Sequence, residues 1–194
     1  MKRIVPLLAA LLLLCSCGAH DEDGRAESIQ ERFASAEGYT ASVETAVERG
    51  EERGNYLLDI SCNGENTRVT VREPDILAGI SAIVGSDGAL DLDYEGMVLD
   101  AGSTDPDVSA VNAASIVISA IAEGYVTERS TESFAEYGEA LRLCFEAEHG
   151  GAKHLVTVYF DDNDEPIYAE IEREGSTAAY LRFTDFAFCD NISS

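Results

Sequence analysis

From Tyr39 onward the apolar residues of this chain recur at every second position, and that period is broken once, by a charge-free run between Asp107 and Glu123. A period of two sends alternate side chains to opposite faces of an extended strand. Tyr39, Ala41, Val43 and Val47 face one way and Thr40, Ser42, Glu44 and Glu48 the other. Tyr56, Leu58 and Ile60 alternate with Leu57, Asp59 and Ser61; Val69 and Val71 with Arg68, Thr70 and Arg72; Leu90, Leu92 and Tyr94 with Asp91, Asp93 and Glu95. Polar turns at 50–54, 63–66 and 86–88 separate these runs, so they are read as consecutive antiparallel strands, each with one wet face. Strands resume at Tyr125 and continue through 141–145, 154–160, 167–171 and 179–183, with Phe186 and Phe188 beyond.

The interruption is read as a helix over 105–123. Asp105 can cap it, Pro106 suits its first position and Gly124 ends it. At roughly 100° per residue its polar residues Ser109, Asn112, Ser115 and Ser119 share one sector of about 120°. A helix apolar around the rest of its girth needs burial on more than one side. A first helix is expected over Arg25–Glu37, where Ile29 and Phe33 keep helical spacing and Gly38 ends the segment. The order is α+β: an N-terminal helix, then one strongly curved antiparallel sheet wrapped around a central apolar helix.

Upstream, Lys2 and Arg3 precede the eleven-residue stretch Ile4–Leu14. That stretch is too short to cross a bilayer, which takes about 20 apolar residues, and suits an export leader. The tetrapeptide Leu14-Cys15-Ser16-Cys17 resembles the lipobox of bacterial lipoproteins. The resemblance implies a signal peptide over 1–16, diacylation of Cys17, a tether over 17–25 and one domain over 26–194, exported and held on the extracytoplasmic side of a bacterial cell membrane. An ordinary secretory signal or a short uncleaved anchor is the alternative. Two acyl chains suffice for stable anchoring where one is marginal. The seven residues Gly18–Gly24 reach at most about 25 Å when extended, which keeps the domain close to the membrane.

Residues 1–16 carry Lys2 and Arg3 and no acid, so removing them takes the formal net charge from −24 to −26. Such a surface does not suit nucleic acid or anionic lipid, which reward clustered Lys and Arg. Cys62, Cys144 and Cys189 remain beside Cys17. Three cysteines allow three pairings and leave one over. Alternation puts Cys62 on the apolar face of its strand and Cys144 on the face opposite Leu141, Leu143 and Phe145, which favours Cys144 with Cys189; three free thiols are the alternative.

The order of elements, the start Tyr39-Thr40-Ala41-Ser42-Val43, the strand after Arg72-Glu73-Pro74, the stretch Val158-Tyr159-Phe160-Asp161-Asp162, and Pro166-Ile167-Tyr168-Ala169-Glu170-Ile171 through Leu181-Arg182-Phe183-Thr184-Asp185-Phe186 together resemble the LolA/LolB lipoprotein-carrier superfamily over roughly residues 26–189. The resemblance implies an unclosed β-barrel plugged by helices, with a concave apolar face for acyl chains or lipoproteins. The lipid anchor departs from the soluble carrier and is closer in style to LolB or to LolA-like germination lipoproteins of Gram-positive spore formers. On this view Val111, Val117, Ile118 and Ile121 of the central helix, with Tyr56, Leu58 and Ile60, and Leu143, Phe145, Val158 and Phe160 of the strands, line a ligand cavity. The same residues could equally be a dry core.

Catalytic chemistry is not signposted. His149 and His154 flank Gly150-Gly151, but zinc wants three or four ligands. The acidic turn 161–165 lacks calcium-loop spacing. No phosphate-cradling glycine loop or nucleophile elbow is present. The chain is therefore expected to be no enzyme and to need no metal or cofactor. Its expected partners are the membrane through Cys17, acyl chains, or an envelope protein docked on an acidic face or open sheet edge, where a homodimer could also form. In the adaptor alternative it positions or regulates an envelope enzyme such as a cell-wall amidase.

Overall fold

The computed structural model describes residues 19–50, 52–85, 89–103, 107–134 and 137–189. The leader, Cys17, and the caps expected at Asp105 and Pro106 lie outside the described residues. Eleven strands form one antiparallel sheet: β1 Tyr39–Arg49, β2 Glu52–Cys62, β3 Asn66–Glu73, β4 Ser81–Gly85, β5 Ala89–Tyr94, β6 Met97–Ser103, β7 Tyr125–Phe134, β8 Gly138–His149, β9 Ala152–Phe160, β10 Pro166–Arg173 and β11 Ser176–Phe188. Their order in space is β6-β5-β4-β3-β2-β1-β11-β10-β9-β8-β7. The chain's last strand pairs with its first, Tyr39 opposite Phe188 and Val43 opposite Phe183, while β6 and β7 remain edges. Among the described residues the sheet is an unclosed barrel accompanied by two α-helices, as the resemblance implies.

Helix α1, Ala19–Ser35, begins six residues before the expected Arg25. Most of the expected tether, 19–25, is therefore helical. On its inner face Ala26, Ile29 and Phe33 are buried. The Phe33 ring stacks on Phe186 at 5.6 Å and meets Phe188 edge-on at 4.9 Å.

Helix α2, Ala113–Glu123, begins eight residues after Asp105. The reason is Asn112, whose Oδ1 accepts the Ser109 N–H (2.8 Å) and whose Nδ2 donates to the Asp107 carbonyl (2.9 Å). Such local bonds offer the backbone an alternative to helix. From Ala113 on, the expected burial on more than one side is met: Ala113, Ala114, Ile116, Val117, Ala120 and Ile121 are buried, and α2 lies between α1 and strands β8–β11.

Gln30 on α1 closes the C-terminal end of α2. Its Nε2 donates to the Gly124 carbonyl (2.9 Å) and the Ile121 carbonyl (3.2 Å), acceptors with no partner within their own helix. Gln30→Leu is expected to lower the unfolding free energy by about 1 kcal/mol, read from urea denaturation, because both acceptors lose a half-buried donor.

Candidate functional site

Paired residues on adjacent strands share a face, so the register traces rows across the sheet. One row on the helix side runs Phe186, Ala41, Ile60, Val69, Ala82, Leu92, Leu99. It is buried from Phe186 to Ala82, and then Leu92 is 37% and Leu99 58% exposed. The neighbouring pair on β5 and β6, Tyr94 opposite Met97, is more exposed still. The helices pack over β7–β11, and the apolar face continues beyond them onto β5 and β6, where it meets solvent.

Of the residues expected to line a cavity, Leu58, Val117, Ile121, Leu143, Phe145, Val158 and Phe160 are wholly buried, and Ile60 nearly so, in one contiguous core. Ile118 and Tyr56 pack at its margin, and Val111 is half-buried in the loop before α2. The structure brings the set together, but as packed interior. A ligand could reach most of these side chains only if α2 moved. On the helix side of the sheet, the large apolar side chains open to solvent are Leu92, Tyr94, Met97 and Leu99 among the described residues. Met97 and Leu99 were missed in the sequence because Met97-Val98-Leu99 is apolar on both faces and shows no alternation. The signal that could have found β6 is the bracketing of that run by Gly96 and Gly102, both at positive φ.

The pairing of Cys144 with Cys189 is overturned: all three described cysteines are free thiols. Cys144 sits on β8 opposite Thr157, and Cys189 follows β11, its N–H donating to the Gly38 carbonyl. Three inter-strand steps separate β8 from β11, roughly 14 Å at sheet spacing, against a limit of about 7 Å between disulfide-forming Cα atoms. Cys144 Sγ lies 3.4 Å from Thr157 Oγ1.

The acidic turn after β9 is a clamp for α1. Arg25 Nε bonds Asp164 Oδ1 at 2.6 Å and its guanidinium also reaches the Asp161 carbonyl, while Arg32 donates to the Asn163 carbonyl. Asp161 Oδ1 accepts the backbone N–H groups of Asn163 and Glu165. Oxygens that a cation would take are thus engaged by arginine and backbone.

His154 lies on the helix side of β9, in step with Val156 and Val158, and is 2% exposed. Among the described residues neither ring nitrogen makes a well-formed hydrogen bond, although the His149 backbone lies close enough to favour the charged ring in part. Burial first, then the nearby His149 and Arg173, pushes its pKa below the ordinary histidine value, and burial does the same to His149. Among the described residues no group of three or more His, Cys, Asp or Glu could hold a metal ion. Tyr39 is the one phenol driven deep into the core: burial raises its pKa well above the usual range, and Ser115 of α2 and Thr67 of β3 hydrogen-bond it.

No family model matches this chain, and no curated protein matches it. Solved structures with a similar course of chain include a LolA superfamily protein from Nitrosomonas europaea, 11% identical over 87% of this chain and 94% of that one, TM-score 0.46. Others are the lipoprotein LppX of Mycobacterium tuberculosis, 12% identical over 88% and 99%, TM-score 0.45, and LprF from Mycobacterium bovis, 9% identical over 90% and 97%, TM-score 0.46. Similarity of that degree speaks to neither ligand nor partner.

Proposed function

We propose that this chain is an exported lipoprotein, anchored through a diacylated Cys17, that binds the acyl chains of a lipid or lipoprotein without catalysing a reaction on them. The observation that carries this reading is the apolar row on the helix side of the sheet, which leaves the cover of α1 and α2 and continues, exposed, through Leu92 and Leu99 with Tyr94 and Met97 beside it. Exposed apolar surface that continues a core and is rimmed by acids marks an interaction site more often than an accident of folding. An alkyl chain laid there exchanges water for apolar contact at roughly 0.8 kcal/mol per methylene, and it is indifferent to the net charge that excludes anionic polymers. From Cys17 to Ala19 the chain spans at most about 7 Å, so the start of α1, where Glu22 accepts from Thr131 of β7, would sit against the bilayer.

The test is uptake of a fluorescent stearate by the chain from residue 17 onward carrying Cys17→Ser, together with native mass spectrometry of the protein from its own envelope. Saturable uptake is expected, with affinity at least tenfold weaker in the Leu92→Asp, Leu99→Asp double variant and an unchanged circular dichroism spectrum, since both side chains are surface-exposed. Absence of uptake and a clean apo mass would defeat the reading and leave the interior as a packed core only. The alternative, a partner-binding role, would rest on a separate observation: among the described residues no strand pairs with the outer side of β6.

A further inference from the structure

The two edges of the unclosed sheet are built differently. β7 carries Glu128, Arg129 and Glu132, and α1 packs against it, with Thr131 Oγ1 donating to Glu22 Oε1 at 2.9 Å. Charges and a covering helix are the usual means of blocking strand addition. β6 has the sequence Met97-Val98-Leu99-Asp100-Ala101-Gly102-Ser103, with no Lys, Arg or Pro, and among the described residues no strand pairs with its outer side. Met97 and Leu99 project on the helix side, and Val98, 56% exposed, on the other face with Asp100.

That other face has an electrostatic fault. Asp91 and Asp100 stand directly opposite each other on β5 and β6, a like-charge pair that costs stability. Asp100 Oδ1 accepts the Gly102 N–H, and among the described residues neither carboxylate has an ion-pair partner. Asp93, next in line, is taken by Arg68 of β3 at 3.0 Å. A strand laid along β6 would continue both rows of side chains: it would set one face against Met97 and Leu99 and the other against Asp100 and Asp91.

We propose that the outer side of β6 receives an extended segment of a partner protein whose residues alternate between apolar and basic. The backbone of that segment takes up the free N–H and C=O groups of β6, its apolar residues cover Met97 and Leu99, and a lysine or arginine opposite Asp100 relieves the Asp91–Asp100 repulsion. The mode is strand addition, with register and orientation set by side-chain pattern. This goes beyond the acyl-binding proposal and does not depend on it: both use Met97 and Leu99, but the partner is selected by the backbone edge and the acidic row on the other face, which acyl binding does not use.

The experiment measures fluorescence anisotropy of a labelled eight-residue Lys-Val repeat against the chain from residue 17 onward carrying Cys17→Ser, with hydrogen exchange to locate binding. The expected result is saturable binding that weakens with added sodium chloride, protection of the amides of 97–103, no binding of a Lys-Pro repeat that lacks alternate N–H donors, and much weaker binding of a Glu-Val repeat. Asp91→Lys with Asp100→Lys should weaken binding at least tenfold while stearate uptake stays unchanged. Binding without protection of 97–103, equal binding of the Lys-Pro or Glu-Val repeats, or no binding at all would overturn the proposal. So would protection of 97–103 by the protein's own concentration, with a dimer in sedimentation, which would make a second copy of the chain the occupant.

Discussion

Phe160→Ala is expected to lower the unfolding free energy by about 3–5 kcal/mol, the cost of losing a wholly buried aromatic together with the cavity it leaves. Phe160 ends β9 with none of its side chain exposed, pairs with Leu141 across the sheet and meets the Phe33 ring of α1 in a T-shaped arrangement at 6.4 Å. It therefore joins the sheet to the helix above it, and its removal takes contacts from both layers. Urea denaturation followed by circular dichroism reads the change, with Ile76→Ala, at a side chain 87% exposed, as a comparison expected to move by less than about 0.5 kcal/mol. The result bears on function as well as stability. A loss near the top of the range means that the space between α2 and the sheet cannot collapse and is rigidly packed, which restricts ligand to the open surface on β5 and β6. A loss below about 1.5 kcal/mol would show an interior that gives way easily, and would restore the buried set around Val117, Ile121 and Phe145 as places a ligand could enter.

That distinction lay beyond the sequence for a physical reason. Alternation identifies which side of a strand is apolar, and it did so for β1, β2, β3, β5 and the strands from β8 to β11. It does not say which other layer, if any, covers that side. Leu58 and Leu92 belong to equally regular alternating runs, yet Leu58 lies wholly inside, in the core cluster that includes Val117 and Ile121 of α2, and Leu92, outside that cluster, meets water. The disulfide inference failed on the same ground. Face alternation was right to put Cys144 away from Leu141, Leu143 and Phe145, but the position of β11 between β1 and β10 is a matter of long-range order that no local pattern carries. β6 was missed because a strand exposed on both faces has no burial to impose a period. The early end of the second helix's N-terminal turns followed from Asn112, whose side-chain bonds to the loop outweigh a hydrophobic pattern that would otherwise have extended it. The export leader and Cys17 rest on sequence alone.

The second large effect concerns the interior. His154→Leu is expected to raise stability at neutral pH by about 1–3 kcal/mol, because it removes buried polar nitrogens whose loss of water is not made good by a well-formed hydrogen bond, the His149 backbone offering only a weak one. It should also flatten the acid side of the stability profile. Burial, with His149 and Arg173 nearby, holds the folded-state pKa of His154 below its ordinary value. As the pH falls through about 6.5, the ordinary histidine value, the unfolded chain takes up a proton that the folded chain refuses. Whatever His154 contributes through this linkage is complete above that pH and is lost as the pH falls toward the folded-state pKa. Urea midpoints measured between pH 8 and pH 5 should then decline more steeply for the parent protein than for His154→Leu. His149, also depressed by burial, will leave part of the slope in place. A variant less stable than the parent at neutral pH, with the acid slope unchanged, would mean that the imidazole is paired in solution after all, by a buried water or by the occupant of the adjoining cavity of about 570 Å³ between Tyr125, Glu146, Leu155 and Glu172. Proton uptake on unfolding, obtained from the same series, separates the two: a smaller uptake at pH 5.5 in the variant than in the parent assigns the acid sensitivity to His154 itself.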